Sequence, residues 1–213
     1  MIMKKPSAIA WFIPMVFLVP VLAYAGYLFW ENRIGSLPVY GKTVPGGKEK
    51  SHTIPSYELI NQNGGIASLE SWTNHIVVAD FFFTHCPVVC PKMTNNLKKV
   101  QAEFSESNVL IRSFSVDPER DSVGQLNTYL KKMKISPDNW ELITGEKKTI
   151  YNLARNGFML VATDGDGGPN DFIHSEKLVL VDTDKRIRGY YDGTSDKEVS
   201  QLINDIKKLQ NEK

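Results

Sequence analysis

Cysteine is scarce in this sequence, where only Cys86 and Cys90 occur among 213 residues. Two thiols cannot form the several disulfides that stabilise small secreted proteins, nor a zinc site made of four cysteines. An excess of one charge is also absent, because 25 Lys and Arg side chains balance 24 Asp and Glu side chains. Proteins that bind nucleic acid present a clustered basic surface. We therefore expect no nucleic-acid partner, a core made by packing, and two cysteines that act as a pair.

Charge is missing from the N-terminal segment after Lys4 and Lys5. Residues 8–30 form an uncharged, mostly apolar run. As a helix this run would extend about 34 Å, which exceeds the roughly 30 Å hydrocarbon core of a bilayer. The two lysines precede the run, so the positive-inside rule places the N-terminus in the cytoplasm. We predict that residues 1–30 are a single-pass anchor in a bacterial inner membrane, with the C-terminal domain facing the periplasm.

A cleaved signal peptide is the alternative interpretation of the same segment. Ala23-Tyr24-Ala25 has the small residues of a cleavage site. The apolar run continues past that site to Trp30, which is longer than the usual apolar region of a signal peptide and favours a retained anchor. Both interpretations export residues 31–213 to an oxidising compartment, where two nearby thiols can form a disulfide.

The exported part of the chain divides by composition into a tether and a domain. Residues 31–50 contain four glycines and two prolines, which predicts a flexible tether. Residues 51–213 alternate strand-like and helix-like segments, which predicts an α/β domain. The continuous apolar run at residues 76–83 predicts a strand that is covered on both faces of a parallel or mixed sheet. Further strands are predicted at residues 57–60, 66–69, 109–116, 140–143, 158–162, 178–181 and 187–191, and helices at residues 91–104, 122–133, 149–156 and 196–210.

The two cysteines follow the strand at residues 76–83 directly. Pro91 suits the first turn of a helix, so Cys90 is predicted at its N-cap, where the helix dipole favours a thiolate. The spacing C-x-x-x-C brings the two side chains to one side of a helical turn, within reach of a disulfide. Such a pair suits Cu(I) or another thiophilic ion, a reversible dithiol couple, or an inert disulfide. The adjacent His85 is either a further ligand or a side chain that points away.

Three motifs resemble those of the Sco/SenC family. The segment FFFTHCPVVCP at residues 81–91 is similar to the signature F-x-T-x-C-P-x-x-C-P, and SVDPERD at residues 115–121 is similar to S-V-D-P-x-R-D. His174-Ser175 before the strand at residues 178–182 resembles the third motif. Members are membrane-anchored, thioredoxin-like copper-binding proteins associated with cytochrome c oxidase assembly. The resemblance covers residues 50–210 and implies a thioredoxin-like (peroxiredoxin-like) mixed sheet flanked by helices.

The resemblance also implies a metal site. Cys86, Cys90 and His174 correspond to the copper ligands of the family, and this donor set is compatible with Cu(I) and, through the imidazole, with Cu(II). Val88 and Ile173 depart from the family pattern, because many members carry Asp at both positions. Negative charge near the site is thereby reduced.

Asp117 and Asp121 follow a predicted strand and precede a predicted helix. Capping of that helix is the simplest interpretation. A supporting role beside the thiolates is the alternative, because the ends of adjacent parallel strands converge on one edge of a sheet.

Three functions are consistent with these residues. The first is a membrane-anchored copper metallochaperone that serves the copper-site subunit of cytochrome c oxidase or another copper protein. The second is a thiol-disulfide oxidoreductase that reduces cysteines of an oxidase subunit, with the Cys86–Cys90 pair as its redox centre. The third is a peroxidase of the same fold, with Cys86 as the reacting thiol. The C-x-x-x-C spacing favours metal binding, because thioredoxin-like oxidoreductases resemble one another in using C-x-x-C.

Overall fold

A computed structural model of the chain describes residues 16–28, 35–41, 51–160 and 175–212. The chain divides into two compact units, Met1–Ser36 and Leu37–Lys213. In the first unit, residues 16–28 form an apolar helix (α1) with exposed side chains. Within the described residues, no helix reaches the length and apolar character needed to cross a membrane. The predicted anchor also includes residues 1–15 and 29–30, which lie outside the described ranges, so the transmembrane helix stays a prediction.

The second unit is a mixed α/β domain, as expected. Its strands are β1 (Glu58–Asn61), β2 (Ile66–Ser68), β3 (Ile76–Phe82), β4 (Val109–Ser115), β5 (Trp140–Thr144), β6 (Lys177–Val181) and β7 (Ile187–Asp192). Its α-helices are α2 (Val89–Glu103), α3 (Val123–Met133), α4 (Lys147–Asn152) and α5 (Asp196–Asn211). A 3₁₀ turn at Leu69–Trp72 follows β2, and a π turn at Leu153–Gly157 extends α4.

The strands form one seven-stranded sheet in the order β2-β1-β5-β4-β3-β6-β7. The three strands β3, β4 and β5 are parallel, and all other neighbours are antiparallel. The register pairs Phe82 with Ser115, so the carboxyl ends of β3 and β4 meet at one edge of the sheet. Strand β6 runs antiparallel to β3, with Ala79 opposite Val179. The amino end of β6 therefore lies at that same edge.

Strand β3 is buried on both faces, which explains its unbroken apolar sequence. Val78 and Phe82 pack on one face with residues of α2, including Leu97. Val77 and Phe81 pack on the other face in an aromatic cluster, where the rings of Phe81 and Phe114 stack with centroids 5.2 Å apart. Truncation of a fully buried leucine such as Leu97 to alanine costs about 2–5 kcal/mol of stability. The cysteine loop thus begins at the end of a strand that is packed on both faces.

The expected strand at residues 158–162 is a local failure of the sequence prediction. Residues 158–160 are not a strand, and residues 161–162 lie outside the described ranges. The backbone N–H of Phe158 donates to the Leu153 carbonyl at 2.7 Å, and that of Leu160 to the Ala154 carbonyl at 2.9 Å. These bonds wind the chain back onto the π turn, with Met159 at a positive φ of 52°. The apolar pattern alone does not record this reversal.

Residues 37–40, which belong to the predicted tether, lie against the domain. The guanidinium of Arg188, only 5% exposed, donates to the carbonyl groups of Leu37 at 2.7 Å and Pro38 at 3.1 Å. The same group donates to the carboxylate of Glu212 at 2.6 Å, which in turn accepts the Leu37 N–H at 2.7 Å. This part of the predicted tether is therefore bound to the domain.

Candidate copper and thiol site

The two cysteines flank the junction between β3 and α2. Helix α2 begins at Val89 with Val88 as its N-cap, so the predicted N-cap position of Cys90 is wrong by two residues. Valine has no side-chain group that can cap a helix, and the first N–H groups of α2 are left for other acceptors. The N–H of Cys90 donates to Sγ of Cys86 at 3.3 Å. The first turn of the helix thus binds the sulfur of the preceding loop.

The two thiols are free and differ in their surroundings. Cys86 is 8% exposed and Cys90 4% exposed, whereas Val88 between them is 68% exposed. Burial raises the pKa of the Cys86 thiol, but the backbone N–H groups of Cys90, Val88 and Val89 and the Cys90 thiol outweigh burial and lower this pKa below its ordinary value. Burial raises the pKa of Cys90 to about 12. The pair therefore combines one thiol with a lowered pKa and one thiol with a raised pKa, and both are buried.

Asp121 ties the cysteine loop to the end of β4. It is fully buried, and its carboxylate accepts the N–H of Thr84 at 3.0 Å and the Thr84 hydroxyl at 2.6 Å. It also accepts the hydroxyl of Ser115, the last residue of β4, at 2.6 Å. The capping interpretation is wrong for Asp121, because Ser122 is the N-cap of α3 and accepts the N–H of Gln125. Asp121 contacts the loop two residues before Cys86.

Asp117 and His85 make more local contacts. The backbone carbonyl of Asp117 accepts the N–H groups of Arg120 and Asp121, and its carboxylate lies 3.8 Å from the Arg120 guanidinium. Capping of α3 is wrong for Asp117 as well, because Ser122 holds that position. The Nδ1 of His85 lies 3.1 Å from the Thr84 hydroxyl oxygen and 3.8 Å from the Asp121 carboxylate, and half of its side chain is exposed. The imidazole of His85 is thus oriented toward the Thr84–Asp121 pair.

His174 lies outside the described residues. Within the described ranges, no group of three or more His, Cys, Asp or Glu side chains is arranged to hold a metal ion. Within the described ranges, Cys86 and Cys90 are two potential thiolate donors that lie side by side. The strand that follows His174 in the sequence, β6, starts at Lys177 on the edge of the sheet where β3 delivers the cysteine loop.

These features agree with a comparison to known families. The sequence model of the SCO1/SenC family matches residues 45–211, most of the chain. The chain belongs to the SCO1/SenC family.

Individual relatives agree with that assignment. The SCO1 protein homolog of Bacillus subtilis (strain 168) is 31% identical over 160 residues, which are 74% of this chain and 82% of that protein. The structure of BsSco, a member of the Sco family of cytochrome c oxidase assembly proteins in which a disulfide switch was identified, gives a TM-score of 0.63 at 31% identity and covers 76% of this chain and 95% of that one. Arabidopsis thaliana ScoI, crystallised with copper bound, shares the fold, with a TM-score of 0.59 at 24% identity over 75% of this chain and 99% of that one. The expected family and thioredoxin-like fold are confirmed.

One buried residue of this SCO1/SenC member was missed by the sequence analysis. Asp80 sits in the middle of β3, on the face that packs against α2, and accepts a hydrogen bond from the Ser113 hydroxyl. Trp140 Nε1 donates to the same hydroxyl oxygen at 2.9 Å. Burial raises the pKa of Asp80 to about 7, although the Ser113 bond acts to lower this pKa. The charge of Asp80 contributes to the raised pKa of Cys90. The signal was an acidic residue within an otherwise apolar strand.

Proposed function

We propose that this protein is a membrane-anchored copper metallochaperone that holds copper between the thiolates of Cys86 and Cys90 and the imidazole of His174. The observation that carries the proposal is the free thiol pair at the start of α2, where the Cys90 N–H binds Sγ of Cys86 at 3.3 Å. The N–H groups at the start of α2 lower the pKa of Cys86, which prepares this thiol to lose its proton, as every thiolate ligand must.

The chemistry of the donors supports copper as the cargo. Thiolates are soft ligands that select Cu(I), and an added imidazole completes a three-donor set that also accommodates Cu(II). The amino end of β6 supports His174 as the third donor, because only two residues separate His174 from Lys177 at the start of that strand. Asp117 is a candidate for a supporting role near the thiolates, since it follows the end of β4 at the same edge of the sheet.

The site of action follows from the N-terminal segment and from the family. We infer that residues 1–30 anchor the protein in a bacterial inner membrane and that the domain faces the periplasm, as the lysines before the apolar run indicate. BsSco belongs to a family of cytochrome c oxidase assembly proteins. The proposed partner is accordingly the copper-site subunit of cytochrome c oxidase or another copper protein.

The test is a competition titration of the full chain with a Cu(I) chelator. Cys86→Ser and Cys90→Ser should each lose tightly held Cu(I), because a hydroxyl does not replace a thiolate. Met93→Leu is the matched control, since Met93 is a buried sulfur-containing residue one turn beyond Cys90 on α2. A single-cysteine variant that retains one tightly held copper would overturn the site assignment.

A second function, thiol-disulfide exchange, is favoured by the different environments of the two thiols. The Cys86 thiolate would attack a disulfide of the partner, which forms a mixed disulfide and releases one partner thiolate. Cys90 would then give up its proton and attack Sγ of Cys86, which releases the second partner thiol. The partner gains two electrons, and this chain ends with a Cys86–Cys90 disulfide. Protection of Cys90 until the mixed disulfide forms is consistent with its burial and its raised pKa.

A further inference from the structure

The segment that leads into the cysteine loop has a buried polar anchor at Thr84. Thr84 lies between the end of β3 at Phe82 and Cys86. Its N–H and its hydroxyl both donate to the carboxylate of Asp121. Beyond Cys86 the loop is fixed by the start of α2. The N–H of Cys86 also donates to the Phe83 carbonyl at 3.3 Å, so the position of Cys86 depends on the segment before it, which Asp121 holds at Thr84, and on the helix after it.

Asp121, directly or through Thr84, joins three parts of the fold. Its carboxylate accepts from Thr84 in the loop and from Ser115 at the end of β4. The Thr84 hydroxyl donates to Asp121. It also accepts a hydrogen bond from Nε2 of Gln125, in the first turn of α3, at 3.0 Å. Hydrogen bonds to an ionised carboxylate are about twice as strong as those between neutral groups. Asp121 therefore binds the segment before Cys86 and the end of β4 at the same time.

We propose that Asp121 is the positioning residue of the thiol site, because it fixes the loop so that Sγ of Cys86 meets the N–H groups of the first turn of α2. Asp121 acts through Thr84 and does not touch the sulfur. Its effect on copper retention rests on the proposed function, whereas its effect on the reactivity of Cys86 does not.

A buried carboxylate also contributes to stability, and a matched residue separates the two roles. Asp205 in α5 is buried, and its carboxylate accepts the Tyr191 hydroxyl at 2.9 Å and Nε2 of Gln201 at 3.0 Å. Its partners belong to β7 and α5, not to the cysteine loop. Asp205→Asn therefore makes the same chemical change with no direct path to Cys86.

The experiment compares Asp121→Asn, Asp205→Asn and Thr84→Val in the full chain. For each variant we would measure the melting temperature, the alkylation rate of Cys86 at pH 7 by peptide mass spectrometry, and Cu(I) retention against a chelator. Loss of a residue that orients a metal ligand reduces metal affinity or activity by about 10–100-fold. We expect Asp121→Asn to slow alkylation and weaken copper retention by about tenfold. Thr84→Val keeps the backbone bond to Asp121 and should reduce the alkylation rate and copper retention less than Asp121→Asn does. Thr84→Ser, a fourth variant that keeps the hydroxyl, should have the alkylation rate and copper retention of the unaltered chain. Asp205→Asn should lower only the melting temperature.

The outcomes test the positioning role of Asp121 separately from the copper-chaperone function on which it partly rests. Equal effects of Asp121→Asn and Asp205→Asn on alkylation would overturn the positioning role. If Asp121→Asn does not fold, unchanged alkylation in Thr84→Val would overturn it instead. Slower alkylation of Cys86 in a chain whose unaltered form holds no copper would support the positioning role and overturn the chaperone function.

Discussion

The backbone N–H of Cys90 donates to the sulfur of Cys86 at 3.3 Å, across a turn in which three residues separate the two cysteines. This bond makes the thiol pair asymmetric. Cys90 lies in the first turn of α2 and presents its N–H group to Cys86, so the backbone of one cysteine activates the other. Copper binding and disulfide exchange both require thiolates, and this arrangement supplies the first of them at lower pH.

Cys86 is expected to react faster than Cys90 with an alkylating agent. Cys90→Ser leaves Cys86 as the single thiol and keeps the N–H at position 90, whereas Cys86→Ser leaves only the buried Cys90. Because the pKa of Cys86 is lowered and that of Cys90 is raised to about 12, the ratio of rates at pH 7 should be at least about tenfold. Rates measured in urea should become equal. Similar rates in the folded variants would contradict the asymmetry.

Asp80 is expected to make the stability of the domain decrease as pH rises. Its pKa is raised from 3.8 to about 7 in the folded protein. Between these values the unfolded chain gives up the proton and the folded chain keeps it, so the free energy of unfolding falls as pH rises from about 4 to 7 and levels off above. The full effect is at most about 4 kcal/mol. Asp80→Asn should remove it, which urea unfolding at pH 5 and pH 8 would measure.

The free energies of unfolding of Asp80→Asn and of the unaltered chain, compared at pH 5 and pH 8, test this prediction. Asparagine keeps an oxygen that can accept the Ser113 hydroxyl, so the variant should be more stable than the unaltered chain at pH 8 and differ less from it at pH 5. A constant difference between the two proteins across that range would show that Asp80 is ionised in the folded state at both pH values.

The sequence was informative wherever a local pattern determines the structure. The apolar run at residues 76–83 correctly predicted β3, and the helix predicted at residues 122–133 matches α3 within one residue. The thiol pair was recognised for the same reason, because its four-residue spacing and the strand before it are local features.

Long-range contacts were beyond that reasoning. Asp121 looked like a helix cap because its partner Thr84 lies 37 residues earlier in the chain. Residues 37–40 looked like a free tether, because their acceptors and donors come from Arg188 and Glu212 near the other end of the sequence. Such contacts follow from the order of strands in the sheet, which composition and periodicity do not specify.

Removal of the Glu212 carboxylate is expected to release residues 37–40 from the domain. Glu212→Ala deletes the acceptor of the Leu37 N–H and leaves Arg188 with fewer partners, which should cost about 1–3 kcal/mol. Lys207→Ala is the control, since it breaks an exposed ion pair with Glu103 and should cost less than about 1 kcal/mol. Urea unfolding gives both values, and limited proteolysis should cut near residue 37 only in Glu212→Ala. Equal losses in the two variants would show that the segment adds nothing to the domain.

The N-terminal segment is expected to remain attached to the mature protein. Residues 8–30 are long enough to span a bilayer and continue beyond the small residues at positions 23–25. Protein isolated from the membrane fraction should therefore give the sequence of the N-terminus itself by Edman degradation or intact mass. A mature chain that begins at Gly26 would identify a cleaved signal peptide in place of the anchor.

His174→Ala is expected to separate the chaperone from the oxidoreductase. A copper site needs a third donor, because two thiolates alone leave the metal open to competing ligands, whereas dithiol exchange does not use the imidazole as a ligand. The variant should hold copper less tightly, most visibly Cu(II), while Cys86 and Cys90 still form a reversible disulfide. Melting temperature, copper retention against a chelator and the rate of thiol-disulfide exchange should be measured on one preparation.

A lower melting temperature with unchanged copper per folded molecule would make His174 structural. Unchanged copper retention with a collapsed exchange rate would instead assign the imidazole to the redox reaction and favour the oxidoreductase, because only that activity would then depend on it.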